Sequence, residues 1–298
     1  TARECRAASR IKRFKATALM VQAAVLLAAF AVSGQVFSQD LTAAAAQGDT
    51  EAEYQLSVEY LEGYERSQNL KEAAKWMTRA AKGDHAEAAR RLGEMHLNGT
   101  GVRQNAKRAI RWYERAAKLG LPDAHFDLGS LHAMGMGVSA DPKAALKHFV
   151  RGAEAGVAEA ALSAGMMYEN GQGSAVNLTQ AARLYALGAK AGEPDCQFRL
   201  ARLHLAGQGV DQSDISGREL FLDAAEQGHG KAQGIVGRMF AEGRGGAQDY
   251  VEAFKWLSLA TLRGINEAAN RDAVAGVLSA DNLAEARRRV KGWLQQAR

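Results

Sequence analysis

The chain has only three prolines and two cysteines in 298 residues, and aromatic side chains make up just 7% of it. Scarce proline leaves few obligate helix breakers. Alanine, the strongest helix former, dominates together with leucine and glycine, so the composition leans helical. Cys5 falls in a basic N-terminal segment and Cys196 then has no partner, which excludes a disulfide framework. An excess of one charge is also lacking outside the N-terminus. The net charge is +5, but six of the 38 basic residues and one of the 33 acidic ones lie in residues 1–38, leaving 32 of each elsewhere. A body without net charge gives no support for nucleic-acid binding. Catalytic signatures are missing as well. The Gly-x-Gly loops follow helical patterns rather than strands and lack a third glycine, so a dinucleotide reading fails. There is no P-loop, no His-Glu-x-x-His and no nucleophile elbow. Nothing calls for a cofactor, and no catalytic residue is assigned.

The N-terminal segment carries Arg3, Arg6, Arg10, Lys12, Arg13 and Lys15, and an uncharged apolar run follows from Ala16 to Val32. Basic region, apolar region and small residues together read as an export signal. Val36 and Ser38 suit cleavage before Gln39, and Val32-Ser33-Gly34 offers a second place. The run is near the lower length limit for spanning a bilayer, so an uncleaved anchor is the other reading. The expected division is therefore residues 1–38 as signal or anchor, 39–278 as a repeat body and 279–298 as a C-terminal capping helix. The body is expected in the periplasm or secreted, and at a membrane only if the segment stays uncleaved.

The body repeats every 36 residues. Stepping from Leu56 reaches Leu92, Leu128, Ala164, Leu200 and Val236, all apolar. Gly63, Gly99, Gly135, Gly171, Gly207 and Gly243 form a second column, and Gly48, Asp84, Gly120, Gly156, Gly192, Gly228 and Gly264 a third. A column of Asn69, Asn105, Asp141, Asn177, Ser213 and Asp249 supplies residue types that accept free backbone N–H groups at helix starts. The glycine columns mark helix ends, where positive φ is needed. Each unit thus reads as a first helix, a glycine loop and a capped second helix. In the second unit these run from about Ala86 to Leu97 and from about Ala106 to Lys118. Ala88, Leu92, Met95 and His96 form the buried stripe of the first helix, and Ala109, Trp112, Tyr113, Ala116 and Ala117 that of the second. One hairpin cannot bury its own stripe, so neighbouring units must stack.

A helix pair of this period with Leu92-Gly93 or Leu128-Gly129 in its first helix, a Gly-x-Gly-Val loop (Gly99 to Val102, Gly135 to Val138, Gly207 to Val210) and a closing Ala-Ala-x-x-Gly (Ala116 to Gly120) resembles the Sel-one-like repeat family, a relative of tetratricopeptide repeats. The resemblance covers roughly residues 44–268. It implies an all-α, right-handed α/α solenoid of six helix-turn-helix repeats, with first helices on the concave side and adaptor functions often placed in bacterial envelopes. The functions of the family's cysteine-rich secreted members do not transfer, because this chain lacks their disulfides.

Candidate site residues divide by chemistry. His96, His132 and His204 share a column with Tyr60, Tyr168 and Phe240, which marks a packing position rather than metal ligands. Equivalent residues in stacked repeats lie on the order of 10 Å apart, whereas ligands must converge to about 2 Å from one ion. Cys196 stands in an alanine column and reads as a small buried hydrophobe. The row Lys75, Arg111, Lys147, Arg183 and Lys255 reads as a solvated face. On the first helices, positions opposite the core vary between repeats, which suits recognition. Early repeats place Arg91, Glu94 and Asp127 there. Later ones place Arg199, Arg202 and Arg238 beside Phe198. Arginine forks suit carboxylates. The expected function is an exported, non-catalytic scaffold whose groove holds a protein partner with an acidic or carboxylate-terminated segment. A cell-envelope enzyme or β-lactam-binding protein is the alternative.

Overall fold

The computed structural model describes residues 41–296, and the expected signal or anchor and its cleavage position lie outside them. Among the described residues the secondary structure is helical throughout, with no strand, and no helix is long and apolar enough to cross a membrane. After helical residues 41–46 come α1 (Thr50–Glu62), α2 (Leu70–Lys82), α3 (Ala86–Asn98), α4 (Ala106–Lys118), α5 (Asp123–Met134), α6 (Pro142–Glu154), α7 (Ala158–Asn170), α8 (Leu178–Lys190), α9 (Pro194–Ala206), α10 (Asp214–Glu226), α11 (Gly230–Glu242), α12 (Tyr250–Leu262), α13 (Ala268–Val277) and α14 (Ala280–Gln296). Odd-numbered α1 to α11 are the first helices of six repeats, and even-numbered α2 to α12 are the second. This is the helical-repeat solenoid expected from the 36-residue period.

The punctuation follows the sequence columns. Asn69, Asn105, Asp141, Asn177, Ser213 and Asp249 each accept a backbone N–H at the start of a second helix. Each first helix of the six repeats ends on its column glycine in the left-handed region, for example Gly171 at φ 71. Asp84 stands where the other repeats have glycine and holds φ 67, the one non-glycine with positive φ among the described residues.

The Leu column is buried throughout, from Leu56, Leu92 and Leu128 at 0% exposure to Leu200 at 7%. The glycine after it has a steric cause. A Cβ at Gly93 would stand 2.9 Å from the Tyr113 ring, and one at Gly129 2.7 Å from Phe149. The small residue lets the second helix lay an aromatic ring flat against the first. The second glycine of the loop has another cause: a Cβ at Gly173 would collide with the Pro142 carbonyl, and one at Gly209 with that of Leu178. The loops that carry Gly101, Gly173, Gly209 and Gly245 therefore rest on the first turn of the preceding repeat's second helix, and that contact ties those repeats together.

The chain forms two compact units that meet in sequence between Gly120 and Leu121. In the first, α1 to α4 pack each on the next. In the second, α5 to α12 do the same, with α5 on α7, α6 on α8 and α7 on α9 across repeats. Both α13 and α14 pack on α12.

Candidate functional site

Five helices of the second unit, α7 to α11, build a cleft of about 610 Å³ lined by Phe198, Arg199, Arg202, Lys231, Ile235 and Arg244, with Glu169 at one side and Phe221 beneath. The first helices α7, α9 and α11 supply Glu169, then Phe198 with both α9 arginines, then Lys231 with Ile235. Arg199 and Arg202 share a helical face because they lie three residues apart. Phe198 is held rigidly. Its ring meets Phe221 edge-on at 5.4 Å and stacks on His229 at 4.5 Å. His229 accepts the Ala232 N–H at Nδ1, so its proton sits on Nε2 and points at Asp195 Oδ1, 3.2 Å away.

The cations of this cleft differ in their state. Arg199 Nη1 donates to Glu169 Oε2 at 3.0 Å, and the same carboxylate oxygen accepts from the Tyr185 hydroxyl at 2.5 Å. Burial and the neighbouring Glu169 charge push the Tyr185 pKa well above the usual phenol range, so the hydroxyl keeps its proton and donates. Arg244 is paired with Asp214 at 2.8 Å. Among the described residues neither Arg202 nor Lys231 has an ionic partner, and both are exposed. The cleft therefore keeps two uncompensated positive charges over an aromatic floor.

The sequence expectation needs one correction. Arg238 does not join Arg199 and Arg202. Its guanidinium is engaged by the buried carboxylate of Glu267, which also accepts from Asn270, and it does not line the cleft. Burying Glu267 without that pairing would be costly, so Arg238 is held in place. Lys231 takes its place in the cleft. None of the early-repeat candidates lines this cleft. Arg91 donates from Nε to Glu87 Oε1 at 3.3 Å and lies 5.6 Å from the Tyr54 ring centroid. Glu94 is exposed without a partner among the described residues, and Asp127 is half-buried and engaged by its surroundings.

Two features escaped the column reading. His125 Nδ1 lies 3.2 Å from His148 Nδ1, and His148 stacks on His132 with centroids 5.5 Å apart. These three histidines come from three different columns, so stepping along any one of them misses the cluster. Among the described residues no group of three His, Cys, Asp or Glu side chains is placed to hold a metal ion. The second feature is the ion pairs between repeats, Arg115–Asp84, Arg183–Glu154, Arg199–Glu169 and Arg244–Asp214. Their separations of 29 to 31 residues are a recurring signal distinct from the main period. Cys196 is fully buried, and desolvation first, then nearby Glu193 and Asp195, pushes its thiol pKa up to about 12. It is an inert packing residue, as its alanine column implied.

A family model described as Sel1 repeat matches six consecutive segments, residues 50–85, 86–121, 122–157, 158–193, 194–229 and 230–265. The crystal structure of a Sel1 repeat protein from Oxalobacter formigenes is similar at 30% identity and a TM-score of 0.61, over 73% of this chain and 89% of that one. The c5321 protein, a protective antigen of uropathogenic Escherichia coli with an SLR fold, is similar at 20% identity and a TM-score of 0.50, over 86% of this chain and 79% of that one. The latter likeness is one of fold. No curated protein matches the chain.

Proposed function

This chain belongs to the Sel1 repeat family, and from that premise we propose that it is an exported, non-catalytic scaffold that holds a carboxylate-bearing protein segment in the cleft of repeats four to six. Sel1 repeats generally mediate protein–protein interaction. The observation that carries the finer reading is the pair of unpartnered cations, Arg202 and Lys231, beside the fixed ring of Phe198. Two positive charges above an aromatic surface suit a segment ending in an apolar residue with a free carboxylate. The guanidinium offers a planar fork and the ammonium a movable point charge. Arg199, already neutralised by Glu169, shapes the wall more than it attracts.

The test uses a synthetic acidic peptide ending in phenylalanine, as the free acid and as the amide, with fluorescence anisotropy as readout. The free acid binds more tightly, and raising salt weakens it. Arg202→Glu with Lys231→Glu lowers its affinity at least tenfold, about 1.4 kcal/mol, without changing the helical melting curve. Equal binding of acid and amide, or an unaffected double variant, would remove the cleft from consideration. Export is tested separately by N-terminal sequencing of the protein from the cell envelope: a start at Gln39 supports it, and retention of the segment that begins at Thr1 in a soluble cytoplasmic fraction refutes it.

A further inference from the structure

Helix α4 is the most unbalanced element of a body whose charges cancel as a whole. Its thirteen residues carry Lys107, Arg108, Arg111, Arg115 and Lys118 against the single acid Glu114. Arg108, Arg111 and Arg115 recur at helical spacing and share one face. With Trp112 they line a cleft of about 530 Å³ in the first unit, completed by Thr78 of α2, His96 of α3 and Val102 of the loop between α3 and α4. None of these lining residues is acidic. The volume falls within the range of about 300–1,000 Å³ common for small-molecule sites.

The equivalent positions of other repeats show what is different here. Lys75, Arg183 and Lys255 occupy the column of Arg111, and each reaches a carboxylate, Glu72, Glu154 and Glu252. Lys147, in the same column, reaches none among the described residues, but it has no tryptophan beside it as Arg111 has Trp112. Among the described residues the side chains of Arg111 and Arg108 reach none. The tryptophan column behaves alike. Trp76 carries Arg79 over its ring at 4.7 Å, and Trp256 carries Lys255 at 4.1 Å. Among the described residues Trp112 has no cation over its ring, although three arginines flank it on its own helix. Arg115 is committed elsewhere, to the Ala81 and Lys82 carbonyls and to Asp84 Oδ1 at 2.6 Å. His96, 7% exposed, has a buried Nδ1 without a partner. Desolvation lowers its pKa, so the ring is neutral near pH 7 and leaves the wall with a nitrogen still unengaged.

The geometry points to a binding site for a small planar organic anion, its carboxylate or phosphate held by Arg108 and Arg111 and its flat body laid on Trp112. Two uncompensated guanidinium groups on one helical face provide charge-assisted donors. The open indole supplies the apolar surface beside them. This site lies in a different unit from the proposed peptide cleft and does not depend on it.

The experiment titrates the full chain with 2-naphthoate, 2-naphthyl phosphate and uncharged 2-naphthol, by calorimetry and by the indole N–H resonance of Trp112. Trp112→Leu assigns that resonance and is expected to fold, because Leu184 and Leu220 stand at the equivalent position. Arg108→Gln with Arg111→Gln alters only exposed side chains. Either acid binds and shifts the Trp112 resonance, and added salt weakens it. The tighter of the two acids identifies the head group. Both variants lose at least tenfold in affinity, while Trp76→Leu keeps the wild-type value. Naphthol binding as tightly as the acids, an unchanged affinity in the folded arginine variant, or no response to either acid at about 10 mM would overturn the assignment.

Discussion

Gly173 illustrates how a single residue here answers to two constraints. Its φ of 76 lies in the left-handed region, and a Cβ would also strike the Pro142 carbonyl, a backbone atom that cannot rotate away. Gly173→Ala should therefore cost more than the roughly 1 kcal/mol of a left-handed alanine alone, on the order of 2 kcal/mol or more with the clash. Urea unfolding measures it, and a loss below 0.5 kcal/mol would show that the loop can lift off its neighbour at little cost. The histidine cluster makes a second claim at this scale. His148 is pulled down from 6.5 to about 4, chiefly by burial and then by the charges of His125, His132, Arg151 and Lys147. The folded chain then binds fewer protons there than the unfolded chain between those two values. Stability is fully present above 6.5 and is lost as pH falls toward 4. His148→Leu, the residue found at Leu184 and Leu220 in the same column, should flatten that slope. Urea midpoints of both proteins across this range decide it, and parallel pH profiles would exclude His148 as the cause.

At the scale of the helix, what was legible in the sequence was whatever the backbone demands at every repeat. Orphaned N–H groups require a cap, so Asn69 through Asp249 could be read as one column. Left-handed C-caps require glycine, so Gly63 through Gly243 could be read as another. Burial of the Leu column follows from the same regularity. Pairing between columns was not legible. The Arg199–Glu169 and Arg238–Glu267 contacts join helices 29 to 30 residues apart. A periodic reading sees each arginine as an exposed variable position and overlooks the carboxylate that neutralises it. The same blindness hid the stack of His229 on Phe198 and of His85 on Tyr54. Of the residues singled out in the sequence, Phe198, Arg199 and Arg202 line one cleft, and the charge balance there was not legible, because net charge at a site depends on partners brought in by packing.

For the molecule as a whole, the decisive question is how the last repeat ends, since a stack of amphipathic hairpins leaves an apolar face wherever it stops. Here α13 is short and α14 follows after only two residues. Helix α14 lays Leu283, Ala286, Val290 and Trp293 toward α12. Trp256 and Leu257 at 0% exposure and Leu259 at 1% belong to the clusters these residues complete. Polar contacts fix the helix as well. Arg289 donates to Glu252 at 2.6 Å, Ser279 accepts the Asn282 N–H, and Arg263 lies over the Trp293 ring. Glu252 keeps Lys255 when Arg289 is removed, so loss of the helix is mainly a loss of apolar cover. At roughly 1.5–3 kcal/mol for each large apolar side chain buried, ending the chain at Leu278 should cost several kcal/mol and leave an uncovered patch prone to pair with another. The expected result is a lower melting temperature and self-association by light scattering. Trp293→Ala in the full chain should give a milder version, with reduced melting but a monomeric protein. A truncated chain that stays monomeric and melts like the full one would show that α12 closes the stack unaided and that α14 serves some other purpose.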